Sequence, residues 1–203
     1  MLDNLHIRPL VEDDCERIAK AFAAQGWDKP ATQFKRYLEE SGAGKRMVLV
    51  AEYDGDITGY VTIALESDYP HFKEHNIPEI KDLNVLKTFQ HRGIGGALMD
   101  MAEAFVLEDS TVVGIGFGLT GDYGPAQRMY IKRGYVPDGQ GAHHGRKPIK
   151  HGEHIKVDDD LVLYLTKTLT AKHDAEQIVH DKMARDPEFL KRLKKIQDAL
   201  ESL

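Results

Sequence analysis

Cysteine, tryptophan, long apolar runs and an excess of positive charge are all missing or nearly so. Cys15 is the one thiol and Trp27 the one indole in 203 residues. A lone cysteine leaves no internal disulfide and no cysteine-rich metal site. No apolar run approaches the roughly 18–20 residues of a membrane-spanning helix, so a membrane is not an expected partner. Lys and Arg total 27 against 33 Asp and Glu, a formal net charge of −6. Nucleic-acid binding needs a basic face, and this balance argues against it. The same balance suits a cationic small molecule, and it is also common in soluble proteins. The start, Met1-Leu2-Asp3-Asn4, lacks the charged-then-apolar pattern of a secretory signal. Together these absences lead to the expectation of a soluble, cytoplasmic protein.

What is present is enough apolar residue, 41 %, for one domain-sized core with an appendage. Apolar spacing predicts helices over 11–24, with Ile18, Ala21 and Phe22 on one face, and over 31–40, with Phe34, Tyr37 and Leu38. Strands are expected at 7–10, 47–53, 57–65, 80–86, 111–119, from 135, and at 161–168. Asp54-Gly55-Asp56 joins two of them as a hairpin. Residues 67–78 and 138–157 read as polar loops. The strand at 111–119 carries Gly114, Gly116 and Gly118, which marks a close approach by some other group. The expected fold is α+β, a mixed central sheet of about six to seven strands flanked by helices.

The most informative stretch is Gln90-His91-Arg92-Gly93-Ile94-Gly95-Gly96. It links a strand to a helix over 97–107. The first N–H groups of a helix have no intrahelical partner, and the helix dipole adds partial positive charge there. Glycines admit a bulky anion close to the backbone, so the turn reads as a phosphate cradle. The glycine spacing does not fit a dinucleotide-binding Gly-x-Gly-x-x-Gly, and no Gly-Lys-Ser/Thr follows, which excludes a P-loop.

Strand, then Gln90-x-x-Gly93-x-Gly95, then helix, resembles the acyl-CoA motif of the GCN5-related N-acetyltransferases, the GNAT superfamily. Leu83-Asn84-Val85 matches the Leu-x-Val of that family's fourth strand. About thirty residues on, Ala126 to Tyr135 resembles its Ala-x-x-x-Tyr-x-x-x-Gly-Phe segment. Lys87 stands where many members have proline, and Tyr123 where many have asparagine. The resemblance covers roughly residues 5 to 169. It implies an acetyltransferase domain over 1–169 that moves an acetyl group from acetyl-CoA to a primary amine by direct attack in a ternary complex.

By that resemblance Gln90, His91, Arg92, Gly93, Ile94, Gly95 and Gly96 hold the cofactor's phosphates. Leu83 and Val85 line the pantetheine arm on a splayed strand whose backbone N–H groups polarise the thioester. Tyr123 and Ala126 border the same site, and Tyr130 is the acid for the departing thiolate. Glu79 is the candidate base, acting directly or through water, with Glu66 its rival. Strict alternation would put Glu79, Lys81, Leu83 and Val85 on one face of the strand, and Ile80, Asp82 and Asn84 on the other.

Three features stand apart from that chemistry. His143, His144, His151 and His154 share one loop, but their spacing matches no metal-ligand pattern, and no metal is expected. Asp158-Asp159-Asp160 either faces a cationic acceptor or caps a strand. Over 170–203 a helical extension is expected. In it Phe189, Leu193, Ile196, Leu200 and Leu203 form a heptad stripe that must bury against something, for example in a homodimer. The acceptor, a small amine or a peptide or protein amine, is not written in the sequence. Two other readings remain open: a non-catalytic acyl-CoA-binding module with a docking tail, and a toxin-like aminoacyl-tRNA acetyltransferase.

Overall fold

The computed structural model describes residues 4–169. The helical extension expected over 170–203, and any dimer contact through it, lies outside them. The described residues form β1 (Leu5–Pro9), α1 (Asp14–Ala23), α2 (Ala31–Gly42), β2 (Arg46–Tyr53), β3 (Asp56–Ala64), α3 (Pro70–Glu74), β4 (Glu79–Val85), α4 (Ile94–Leu107), β5 (Val112–Gly118), α5 (Gly124–Lys132), β6 (Val136–His144), β7 (Lys147–Pro148) and β8 (Leu161–Thr168). One eight-stranded sheet runs in the order β1-β2-β3-β4-β5-β8-β6-β7. All neighbours are antiparallel except β4 and β5. The α+β mixed sheet is as expected, with β7 a two-residue addition.

Each sheet face is covered because its strands and helices carry matching apolar stripes. On one face α1 presents Cys15, Ile18 and Phe22 at helical spacing, and α2 presents Phe34 and Tyr37. They close over Val48, Val50 and Tyr60. The Phe34 and Tyr60 rings meet edge-on with centroids 5.1 Å apart, a geometry worth about 0.5–1.5 kcal/mol beyond its burial. On the other face α4 is buried on nearly every side, its Leu98, Met101 and Phe105 packing on Leu49, Val61, Ile80 and Ile115. The one acid buried in α4, Glu103, is matched by Arg133 at 2.8 Å and Lys167 at 2.6 Å. No helix among the described residues is long and apolar enough to cross a membrane.

Two expected loops are partly ordered structure. Within 67–78, Pro70 sets the first turn of α3 and buries Phe72 against the sheet. Five residues are too few to show a helical period. Within 138–157, residues to His144 continue β6 beside β8 after the register jumps between Pro137 and Ala142. That jump breaks the alternation from which a strand would have been read.

The glycines of β5 are explained by three rings. An added Cβ at Gly114 would lie 2.2 Å from Phe72 Cε2, at Gly116 2.8 Å from Tyr164 Cε1, and at Gly118 2.4 Å from Tyr123 Cε2. Only a missing side chain admits rings that close.

Candidate active site

The turn before α4 folds as its residues require. Gly93 takes φ +86° as the N-cap, and His91 takes φ +61°. Alternating hand along such a turn converges backbone N–H groups into an anion-binding concavity. The N–H groups of Ile94, Gly95 and Gly96 open the helix without an intrahelical partner. Gly96 has nothing within 4 Å of where a Cβ would stand, and Gly95 only Val85 Cγ2 at 3.7 Å. The Gln90 side chain donates to the Val85 carbonyl at 3.1 Å, which binds the turn to the end of β4.

Beside this turn the sheet opens. β4 and β5 pair only at Glu79–Gly114 and Ile80–Ile115. Beyond Ile80 the two strands part, and the β4 edge loses its ladder partner. On its far side β4 leans onto β3, because Gly59 has no Cβ to meet the Asn84 carbonyl oxygen, which would lie 2.5 Å away. A cleft of about 930 Å³ opens along the end of β4. Leu83, Val85, Gln90, His91, Gly93, Ile94, Gly95, Gly96, Tyr123 and Ala126 line it, joined by Trp27, Lys29, Asn84, Asp122, Met129 and Asp159. Arg92 does not; its guanidinium sits 5.1 Å above the Phe89 ring on the exposed side of the turn.

The expected strict alternation along β4 fails, for a physical reason. The β3–β4 register slips between Tyr60 and Thr62, and Asp82, opposite the slip, has φ +51°. One extra residue reverses the phase of every side chain after it. Asp82 and Asn84 therefore meet Tyr60 on the α1–α2 face. Leu83 and Val85 pack toward α4 together with Ile80.

Asp82 is the residue that sequence reasoning passed over. Its carboxylate accepts from Lys29 Nζ and Asn84 Nδ2 at 2.7 Å on Oδ1. Its Oδ2 accepts from Gln33 Nε2 and the Tyr60 hydroxyl at 2.9 Å and from the Tyr37 hydroxyl at 3.2 Å. Burial, reinforced by the Asp82 charge, pushes the Tyr60 and Tyr37 phenols up, so both remain donors. No local signal marks such a site, since its donors come from four separate segments of the chain.

Neither Tyr130 nor Glu79, the two proposed chemical groups, is among the residues that line the cleft. Tyr130 is 5 % exposed, and its ring lies 6.2 Å from that of Phe117 and 6.0 Å from that of Tyr135. Its hydroxyl makes no hydrogen bond among the described residues, and burial pushes it up. Its helix neighbours Pro125, Ala126 and Met129 line the cleft. Glu79 is 3 % exposed and accepts from the Ser67 hydroxyl at 2.5 Å, with Lys81 Nζ 3.5 Å away. Glu66 is exposed and paired with Lys73. Tyr123 packs on Gly118 and donates to Asp159 Oδ1 at 3.3 Å. Of the three consecutive aspartates, Asp159 is the one on the cleft wall.

The histidines separate. His143 is buried, and its Nδ1 lies 3.0 Å from the Gly141 carbonyl. His144, Asp158 and Asp160 bring ligand-type atoms within 4.8 Å of one another, a grouping their spacing did not suggest. The Lys156 ammonium already sits 3.0 Å from Asp158.

Residues 44–137 match the family model for the acetyltransferase (GNAT) domain. An N-acetyltransferase of uncharacterized function from Chlorobaculum tepidum is 32 % identical over 124 residues, 60 % of this chain and 71 % of that protein. The chain belongs to the GNAT acetyltransferase family. It is an acetyl-CoA-dependent acetyltransferase. Solved structures agree on the fold. An N-acetyltransferase from Staphylococcus aureus superposes with TM-score 0.62 at 12 % identity, over 83 % of this chain and all of its own. A Salmonella typhimurium protein solved with its cofactor acetyl-CoA superposes with TM-score 0.61 at 17 % identity, over 83 % and 95 % of the two chains.

Proposed function

We propose that this acetyltransferase moves the acetyl group of acetyl-CoA to a primary amine by direct attack in a ternary complex. One observation carries the reading: a single cleft joins the open N-terminus of α4 to the unpaired edge of β4. The first suits a pyrophosphate and the second a thioester. The glycine turn fits the group, because the space where a side chain at Gly96 would stand is open and at Gly95 only Val85 Cγ2 comes near, at 3.7 Å.

In this reading the turn from Gln90 to Gly96 holds the phosphates through backbone N–H groups. The pantetheine arm lies along Leu83 and Val85, with Tyr123 and Ala126 opposite. The amine nitrogen attacks the thioester carbon, and negative charge builds on its oxygen. N–H groups of the β4 edge meet that charge; a preorganised donor of this kind is worth about 2.7–4 kcal/mol. As the C–S bond breaks, the thiolate takes the proton of Tyr130. A phenol held up by burial is protonated at neutral pH and available for that step. Glu79, through water, takes the proton that the acceptor ammonium loses before its nitrogen attacks. Asp122 and Asp159 on the cleft wall favour a cationic acceptor, and the cytoplasm is its proposed place of action.

The test is thiol release from acetyl-CoA across a panel of primary amines, first with the wild type and then with Tyr130→Phe. Loss of the acid should lower turnover by about 10²–10⁴-fold, with acetyl-CoA affinity within about twofold of wild type. Equal turnover by the two proteins removes Tyr130 from the mechanism. A wild type inert toward every amine removes the amine acceptor.

A further inference from the structure

We propose that Asp82 is a positioning residue. Its carboxylate holds the bulge of β4 and ties the Trp27–Lys29 wall of the cleft to the strand that faces the thioester. The inference rests on the reading above, in which the β4 edge meets the acetyl carbonyl.

Four observations converge on it. Asp82 has φ +51° in the interior of a strand, a conformation that a non-glycine residue keeps only where its surroundings enforce it. The five donors around its carboxylate supply that enforcement. Tyr60 is fully buried and Tyr37 is 8 % exposed, so a hydroxyl left unpartnered there would be costly. The bulge also sets the phase of the strand: with it, Leu83 and Val85 face α4 and the cleft; without it, one residue of slip would turn them away. Finally, Lys29 lies in the connection between α1 and α2 and lines the cleft beside Trp27. Its 2.7 Å ion pair with Asp82 joins that wall to β4. Asn84 closes the bulge from within, since its Nδ2 also reaches the Asp82 backbone carbonyl at 3.1 Å.

The two demands on this position can be separated. Glycine adopts φ +51° without steric cost but brings no carboxylate. Asparagine tolerates the same conformation and keeps one acceptor oxygen, but leaves Lys29 without its counter-charge. Asp82→Gly and Asp82→Asn therefore spare the backbone and remove the hub wholly or in part.

The readout is the infrared stretch of the thioester carbonyl in [1-13C]acetyl-CoA bound to each protein, with CoA affinity and melting temperature measured alongside. Hydrogen bonding to the carbonyl lowers its frequency. In the wild type the bound carbonyl should lie below its frequency in solution. Asp82→Gly should lose at least half of that shift and Asp82→Asn a smaller part. CoA should bind both variants within about threefold of wild type, because the glycine turn is untouched.

With an amine that the wild type acetylates, Asp82→Gly should lower kcat at least tenfold while the KM for acetyl-CoA changes less than threefold. A full shift in Asp82→Gly overturns the proposal, and so does a lost shift matched by an equal loss of CoA affinity, which would mark general loosening. Should Asp82→Gly fail to fold, Asp82→Asn decides by the same criteria. A wild type with no shift overturns the β4 reading itself, and this proposal with it.

Discussion

Alanine at Gly118 should displace Tyr123, and the size of the effect follows from three distances. A Cβ there would stand 2.4, 2.6 and 2.8 Å from Cε2, Cδ2 and Cζ of the tyrosine ring. Non-bonded carbons rest at about 3.5–4.0 Å, so the ring must move by about 1 Å or more. The movement strains the weak 3.3 Å bond to Asp159 and shifts a ring that lines the cleft. Overpacking of this kind costs about 1–3 kcal/mol. At about 2–4 °C per kcal/mol for a protein of this size, Gly118→Ala should melt roughly 2–12 °C below wild type. Acetyl-CoA should also bind more weakly.

The decisive assay is a double-mutant cycle with Tyr123→Ala, read by chemical denaturation. With the ring gone the added methyl has room, so the Gly118→Ala penalty should largely vanish in the double variant. Additivity within about 0.5 kcal/mol would show that the two residues do not share the space, and would refute the reasoning.

Other outcomes follow from the same structure. Gly93→Ala puts a side chain at φ +86°; about 1–2 kcal/mol of strain should appear in denaturation, together with a loss of acetyl-CoA affinity in titration calorimetry. Glu103→Gln leaves Arg133 and Lys167 without their shared buried counter-charge, which should cost about 3 kcal/mol at neutral pH, again read by denaturation. Burial alone would raise the pKa of Glu103, but hydrogen bonds from Arg133 and Lys167 outweigh it and hold it below the ordinary value of 4.5. The folded state then binds fewer protons than the unfolded state below that pH, so this contribution is complete above about pH 4.5 and fades as pH falls further. Stability measured against pH should fall less steeply below 4.5 in Glu103→Gln than in wild type; equal slopes would contradict the assignment.

The legible parts of the site are those that local chemistry controls. Gly93, Gly95 and Gly96 between a strand and a helix point to a candidate anion site because the turn and the helix start need only neighbours in the chain. The β5 glycines announced a close approach in the same way, without saying by what. Short elements were lost. The five residues of α3 do not complete two turns, and β6 beyond Pro137 is broken by its own register jump. On β4 the period-two rule misplaced Asp82 and Asn84 relative to Glu79 and Lys81, because an inserted residue leaves no mark on composition. Tyr130 is proposed from its motif spacing, whereas its burial beside Phe117 and Tyr135 is a matter of tertiary packing.

By itself the sequence determined the local elements of the candidate donor site of this acetyltransferase: a strand, a glycine turn and a helix start, each specified by interactions within a few residues. Only the tertiary structure decided how β4 presents itself to that turn. The bulge at Asp82 depends on a lysine, a glutamine, two tyrosines and an asparagine scattered from position 29 to position 84. Their hydrogen bonds exist only once α1, α2 and β3 have packed around a single carboxylate.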